Sequence, residues 1–226
     1  MTEPTGTATQ PFRDLSVDAF SETLASSAPV PGGGSASAVA AALGASLVTM
    51  VARLSTGRPK YIIHEDLLTW AITEGERLRG RFLDLADEDA RAYAGFAAAL
   101  KLPKETDEQI AGRSAAIAVA AREAAEIPMA CVEACVDLVR IAEALAGRCN
   151  MNASSDLDVA ALLADAAAHG AAANVLVNLP SVGDPAYTEE MTARVTDLLG
   201  DVERIAQDAH EAVGSGEPRD PLRDAG

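Results

Sequence analysis

Residues 84–100 read DLADEDARAYAGFAAAL, and their spacing decides the fold class. The apolar positions Phe82, Leu85, Ala86, Tyr93, Phe96 and Leu100 follow one another at helical steps and form a single face. That is the period of a helix with one side turned to a core, not the alternation of a strand. Asp89 falls on this face, between Ala86 and Tyr93, whereas Asp87 and Glu88 project toward solvent. An inward carboxylate must be hydrogen-bonded, paired with a cation or placed where a ligand enters. A partner Arg or Lys would make Asp89 structural. A raised pKa would suit it to acid–base work.

The same period extends in both directions, and no convincing strand interrupts it. Ser16 caps a short helix through about Ser26, and the PVPGGG of residues 29–34 is a sharp break. A helix follows from Ser35 to about Ser55, then a second break at TGRPK, residues 56–60. The segment from Ile62 to Leu100 would span ~58 Å as one helix. Gly75, Gly80 and Gly95 each weaken it by ~1 kcal/mol relative to Ala, which leaves its continuity open. A further helix covers about Thr106–Ala146, with a kink expected at Pro128 and a C-terminal cap at Gly147. Ser154 or Ser155 caps the next, to about Val177, and a last helix covers roughly Thr188–Val213. The expectation is an all-α bundle of long antiparallel helices in one domain, residues 14–213. Residues 1–13 and 214–226 read as disordered tails, rich in Pro, Gly and charge.

Composition bounds the function. About a fifth of the 226 residues are Ala and only 4% are aromatic, which favours closely packed helices. The net charge of −16 argues against a nucleic-acid partner, which needs a basic face. Met1–Pro11 shows no secretory pattern, and the apolar run Ala38–Ala52 is shorter than the ~20 residues of a membrane span. Cys131, Cys135 and Cys149 have no zinc spacing and read as buried thiols in a reducing cytoplasm. His64, His169 and His210 form no metal-binding pair, so no metal is expected and any catalysis reads as metal-free acid–base chemistry.

Three further features could carry chemistry. Gly32, Gly33 and Gly34 open directly onto a helix, where free amides suit an anion, although a flexible turn by itself accounts for the motif. Small residues at Ala36, Ala40, Gly44 and at Ala38, Ala42, Ser46 allow close helix approach, inside a bundle or across a subunit interface. Asp156 lies in the first turn of its helix, where capping is a sufficient role. Farther along that helix Asn174 and Asn178 end a stripe of alanines, placed either to read a heterocycle or to cross-link helices.

Taken in order, these pieces resemble a known family. Pro31-Gly32-Gly33-Gly34-Ser35, an Ala-rich helix, and Gly57-Arg58-Pro59-Lys60-Tyr61 are similar to the cyclodeaminase domain of formiminotransferase-cyclodeaminase and to stand-alone methenyltetrahydrofolate cyclohydrolases. The likeness continues through Asp87-Glu88-Asp89-Ala90, Lys101-Leu102-Pro103-Lys104, Ser155-Asp156-Leu157, Asn174-Val175 and Asn178-Leu179. It covers roughly residues 14–212, with Asp158 where the family favours glycine. The resemblance implies a homodimer that binds a reduced folate and needs no cofactor beyond it. It implies chemistry at the N5/N10 bridge, either ring closure of 5-formiminotetrahydrofolate with loss of ammonia or hydrolysis of 5,10-methenyltetrahydrofolate. It places the catalytic aspartate at Asp89. Gly32, Gly33, Gly34, Ser35, Asp156, Asn174 and Asn178 would shape the pocket, and Arg58, Lys60 and Lys101 would meet the folate carboxylates. The alternative is a non-catalytic bundle that binds folate or a partner on the same scaffold.

Overall fold

The computed structural model describes residues 10–222. Among them are six α-helices and no strand: α1 Val17–Leu24, α2 Gly33–Arg53, α3 Glu65–Leu100, α4 Asp107–Leu145, α5 Ser155–Asn178 and α6 Pro185–Ser215. Short 3-10 turns at Phe12–Asp14, Pro59–His64, Met151–Ala153 and Leu179–Ser181 join them.

The helix starts have local causes. Ser16 Oγ accepts from Ala19 N–H at 3.0 Å. Thr106 and Gln109 form a reciprocal capping box for α4. Asp184 accepts from Tyr187 N–H ahead of Pro185, which fits the first helical position. The start of α5 differs from expectation, since neither Ser154 nor Ser155 caps it through a side chain. The 3-10 turn runs straight into the helix, so the side-chain cap sits earlier, where Asn150 Oδ1 accepts from Asn152 N–H. Gly147 follows α4 with φ of 75°, the left-handed conformation that ends helices.

Helices α2, α3, α4 and α5 form an antiparallel ring, and α6 lies in the groove between α4 and α5. Phe82, Leu85, Leu138, Ile141, Leu145 and Leu157 fill the centre, each contributing ~1.5–3 kcal/mol through burial. Most of the remaining core is alanine, which lets the backbones approach. The limiting case is Gly75, in the middle of α3, where a Cβ would stand 2.2 Å from Thr49 Oγ1. Close α2–α3 packing thus offsets the propensity cost, and α3 runs unbroken for 36 residues. Asp158, on α5, lies 2.8 Å from His210 Nδ1 and ties that helix to α6.

Contacts reach past the expected domain limits. Phe12 packs against Phe20, and its N–H donates to Asp87 Oδ1 at 2.8 Å, so Asp87 holds the chain's beginning instead of facing solvent. At the other end Arg219 N–H donates to Gly147 O at 2.9 Å, and its guanidinium pairs with Glu143. Residues 1–9 and 223–226, within the expected tails, lie outside the described residues.

By length and composition α2 and the segment Ser155–Ser181 do reach the range of a membrane span, because the apolar run extends beyond Ala38–Ala52. Of these two windows 56% and 44% is buried inside the bundle, as befits its core helices.

Candidate functional site

Where α2 begins, the bundle opens into a cleft of about 380 Å³. Gly32, Gly33 and Gly34 form one wall, Asp89, Tyr93 and Phe96 of α3 a second, and Asn174, Val177 and Asn178 of α5 a third. Ala124 of α4 contributes from below. Beyond Asp89, α3 continues for another ~17 Å past the start of α2, so the α3–α4 hairpin overhangs the opening.

Asp89 is the charged group in the wall among the described residues. Among the described residues no Lys or Arg reaches it; its hydrogen-bond partner is Ser35, whose hydroxyl lies 2.9 Å from Oδ2. Burial pushes the Asp89 carboxyl above the ordinary carboxylate range, and the Ser35 hydroxyl and amide only partly oppose this. The paired, structural alternative for Asp89 is therefore not what the fold contains.

Ser35 itself is fully buried and lies behind Asp89, so it supports the carboxylate instead of lining the cleft. Its Oγ is also 3.0 Å from Ala86 O. A hydroxyl has one hydrogen and can satisfy only one of these two acceptors at a time. When Asp89 is ionised, Ser35 donates to it. When Asp89 is protonated, the acid can donate to Ser35 Oγ while Ser35 donates to Ala86 O. Both protonation states thus find a partner without movement of the backbone.

The glycine turn acquires a specific meaning. A Cβ on Gly34 would lie 2.2 Å from Asp89 Oδ1 and 2.6 Å from its Cγ. Gly33 is roomier, with Asn174 Nδ2 at 3.5 Å from a Cβ, and Gly32 is open. The anion at this helix start is thus the protein's own carboxylate, and Gly34 makes the space for it.

Asn178 takes the helix-linking role that its sequence left open, and both Asn174 and Asn178 border the cleft. Pro128 interrupts α4 by lacking an N–H, which deprives Ala124 O of its helical donor. Asn178 Nδ2 supplies one at 2.9 Å and donates its second hydrogen to Asn174 O at 2.8 Å. Asn174 Nδ2 donates to Gly170 O at 2.8 Å. With these donors engaged, the amide oxygens remain as acceptors for a guest in the cleft.

The other expected site residues lie elsewhere. Arg58 and Lys60 are exposed in and before the Pro59–His64 turn, beyond the far end of α2, with the Lys60 ammonium 5.3 Å from the Tyr61 ring centre. Asp156 is at the start of α5, at that same far end. The antiparallel course of α2 and α5 puts this group ~30 Å from Asp89, the length of α2. Lys101 caps the end of α3 at the tip of the overhang. Tyr93 and Phe96 were read as core; they line the cleft, one and two turns along the face that carries Asp89. Val177 and Ala124 had no distinguishing sequence signal. Among the described residues no three of His, Cys, Asp and Glu converge as a metal-binding group.

Known proteins agree with this architecture. The formiminotransferase-cyclodeaminase family profile matches residues 16–197. A methenyltetrahydrofolate cyclohydrolase of Methylorubrum extorquens is 38% identical over 199 residues, 88% of this chain and 96% of its own. The formimidoyltransferase-cyclodeaminase of Rattus norvegicus is 34% identical over 190 residues, and the match spans 35% of that longer protein. The crystal structure of formiminotetrahydrofolate cyclodeaminase from Thermotoga maritima superposes with a TM-score of 0.81 at 27% identity, covering 90% of this chain and 98% of that one. On the match over most of its length, the chain belongs to the formiminotransferase-cyclodeaminase family.

Proposed function

We propose that this protein hydrolyses 5,10-methenyltetrahydrofolate to 10-formyltetrahydrofolate, with Asp89 as the proton-transfer group. The observation that carries the reading is a cleft whose charged wall residue is a half-buried carboxylate, without a cation among the described residues and held by Ser35. The likeness to a stand-alone cyclohydrolase along almost its whole length supports hydrolysis. The fold match to a solved cyclodeaminase supports a second reading, ring closure of 5-formiminotetrahydrofolate.

The bridge carbon between N5 and N10 of the methenyl substrate is electrophilic. Ionised Asp89 takes a proton from water as the water oxygen bonds to that carbon. The tetrahedral adduct then collapses: the bond to N5 breaks, N5 gains a proton, and the hydroxyl loses its proton as the formyl C=O forms. One proton is released overall. In the second reading N10 attacks the formimino carbon and its proton passes to the imino nitrogen; protonated Asp89 then gives its proton to that amino group, whose bond to carbon breaks as it leaves as ammonia and the methenyl bridge forms. A carboxyl with a raised pKa suits both directions, and such a group contributes ~10²–10⁴-fold. The free oxygens of Asn174 and Asn178 face the N–H groups of a pterin, and Tyr93 and Phe96 offer it aromatic surface.

The reading includes metal-independent turnover, no cofactor beyond the folate, a homodimer and a cytoplasmic setting. Three free thiols, all buried, support the last. Each folate is supplied separately while the methenyl chromophore and ammonia are followed, with and without a chelator. Loss of the chromophore without ammonia, unchanged by chelator, is expected. Ammonia release from the formimino substrate would select the second reading. Folate binding without turnover of either substrate would leave a non-catalytic bundle.

A further inference from the structure

Ala124 on α4 and Asn178 on α5 both belong to the cleft wall. What joins them originates outside that wall, at Pro128, which is buried in α4 one turn beyond Ala124. A proline has no N–H for the carbonyl four residues back, and its ring crowds that carbonyl. Ala124 O is thus left for a donor from another helix, and Asn178 Nδ2 takes the place at 2.9 Å. The second hydrogen of the same nitrogen goes to Asn174 O at 2.8 Å. A reversed amide would set Oδ1 against these two carbonyl oxygens with no hydrogen between the atoms. The orientation is therefore fixed, and Oδ1 is the atom left over. Among the described residues no donor reaches it, and it is not one of the buried polar atoms that lack a partner, so it stays open to the cleft.

We propose that Pro128 is a positioning residue for substrate binding: by withdrawing a donor from Ala124 O it locks the Asn178 amide with its oxygen toward the cleft, so that the site takes a ligand edge carrying an N–H donor there. The identity of that ligand rests on the folate reading above. An ordinary residue at position 128 would return an N–H to Ala124 O and draw the carbonyl back along α4. Asn178 would then keep one firm contact, to Asn174 O in its own helix, and its amide could turn to present either N–H or oxygen. Repair of α4 alone would need a single donor from any side chain. Here both hydrogens of one amide are engaged, and its remaining atom is delivered to the cleft wall.

A double-mutant cycle separates positioning from support of the fold. Pro128→Ala is expected to raise KM for the methenyl substrate ~3–10-fold and to leave kcat within about twofold, because an acceptor held to an unreacting edge serves ground state and transition state alike. Asn178→Ala should raise KM at least as much. Adding Pro128→Ala to it should change KM no further, since Pro128 acts through that amide alone. The acid limb of the kcat profile, which belongs to Asp89, should stay in place in all three variants. Additive effects on KM, an unchanged KM in Pro128→Ala, or a fall in kcat with a displaced acid limb would overturn the proposal.

A second measurement needs no turnover. In a heteronuclear NMR spectrum the side-chain amide pair of Asn178 is identified by its absence from Asn178→Ala. Its hydrogens should exchange slowly with solvent in the wild type and ~10-fold faster in Pro128→Ala. The Asn174 pair, bonded to Gly170 O, should keep its rate and serves as the internal control. Equal exchange of the Asn178 pair in the two proteins would overturn the lock. Pro128→Val restores the same N–H with a fuller side chain; it is expected to repeat both results, and it replaces the alanine variant if that one fails to fold. If the wild type turns over neither folate, the functional reading fails while amide exchange still decides the lock.

Discussion

Gly34→Ala is the smallest change that separates the site from the scaffold. Gly34 occupies the second position of α2 with ordinary helical backbone, so alanine is conformationally acceptable there. Its methyl would nevertheless lie 2.2 Å from Asp89 Oδ1, 2.6 Å from Cγ and 2.8 Å from Oδ2. Relief needs the carboxylate to retreat by ~1 Å, and a displacement of that size can cost ~10²-fold in rate. The yielding group is the end of a side chain, so the fold bears little of the strain. Overpacking costs ~1–3 kcal/mol. The gain of alanine over glycine in a helix, ~1 kcal/mol, offsets part of this. The expected result is a helical protein whose melting temperature changes by only a few degrees and whose kcat/KM falls ~10²-fold. Gly33→Ala is the control, since its methyl makes only ordinary contact at 3.5 Å. Circular dichroism, thermal melts and loss of the methenyl chromophore measure all three quantities. A folded Gly34→Ala enzyme with wild-type kcat would refute the placement of Asp89 in the mechanism.

Other expectations follow from the same geometry. Asp89→Asn should lower turnover by ~10²-fold or more while folate binding survives. Because burial raises the Asp89 pKa, the folded state holds this proton at pH values where the unfolded chain has released it; stability from Asp89 is full below the unfolded pKa, near ~3.9, and is lost as pH rises through the raised value. The melting temperature of Asp89→Asn relative to wild type should therefore increase from acid to neutral pH; a constant difference would contradict the burial argument. The acid limb of the wild-type pH–rate profile should lie above the ordinary carboxylate range, as potentiometric control of the hydrolysis assay would reveal. Asn178→Ala strands the Ala124 carbonyl and should cost ~1–3 kcal/mol in urea unfolding, with a smaller cost when Pro128→Ala restores the helical donor. Gly75→Ala, with its methyl 2.2 Å from Thr49 Oγ1, should destabilise by ~1–3 kcal/mol and leave KM near wild type.

Helix content and order were legible because they depend on local period and punctuation. Asp89 was legible for a similar reason: a carboxylate on an apolar face is a local contradiction, and its resolution has to be chemical or electrostatic. The continuity of α3 was not legible, because the reason for Gly75 is Thr49 of another helix. The role of Pro128 was half visible. The sequence reveals the missing donor, while the replacement, Asn178, comes from 50 residues away and only the fold brings it to Ala124. Asp87 illustrates the opposite limit, since its partner is the backbone of Phe12, in a segment that looked like a tail.

The division of the expected site residues has a physical logic of its own. Gly32–Gly34, Asp89, Asn174 and Asn178 meet because α2, α3 and α5 bring them to one end of the bundle. Arg58, Lys60 and Asp156 lie at the other end because the same antiparallel helices return there. Among the described residues the bundle therefore separates the Asp89 carboxylate from Arg58 and Lys60 by the length of α2, which spares Asp89 an ion pair that would hold its pKa down. Placing Lys60 beside Asp89 within one chain would lower that pKa and weaken it as a base.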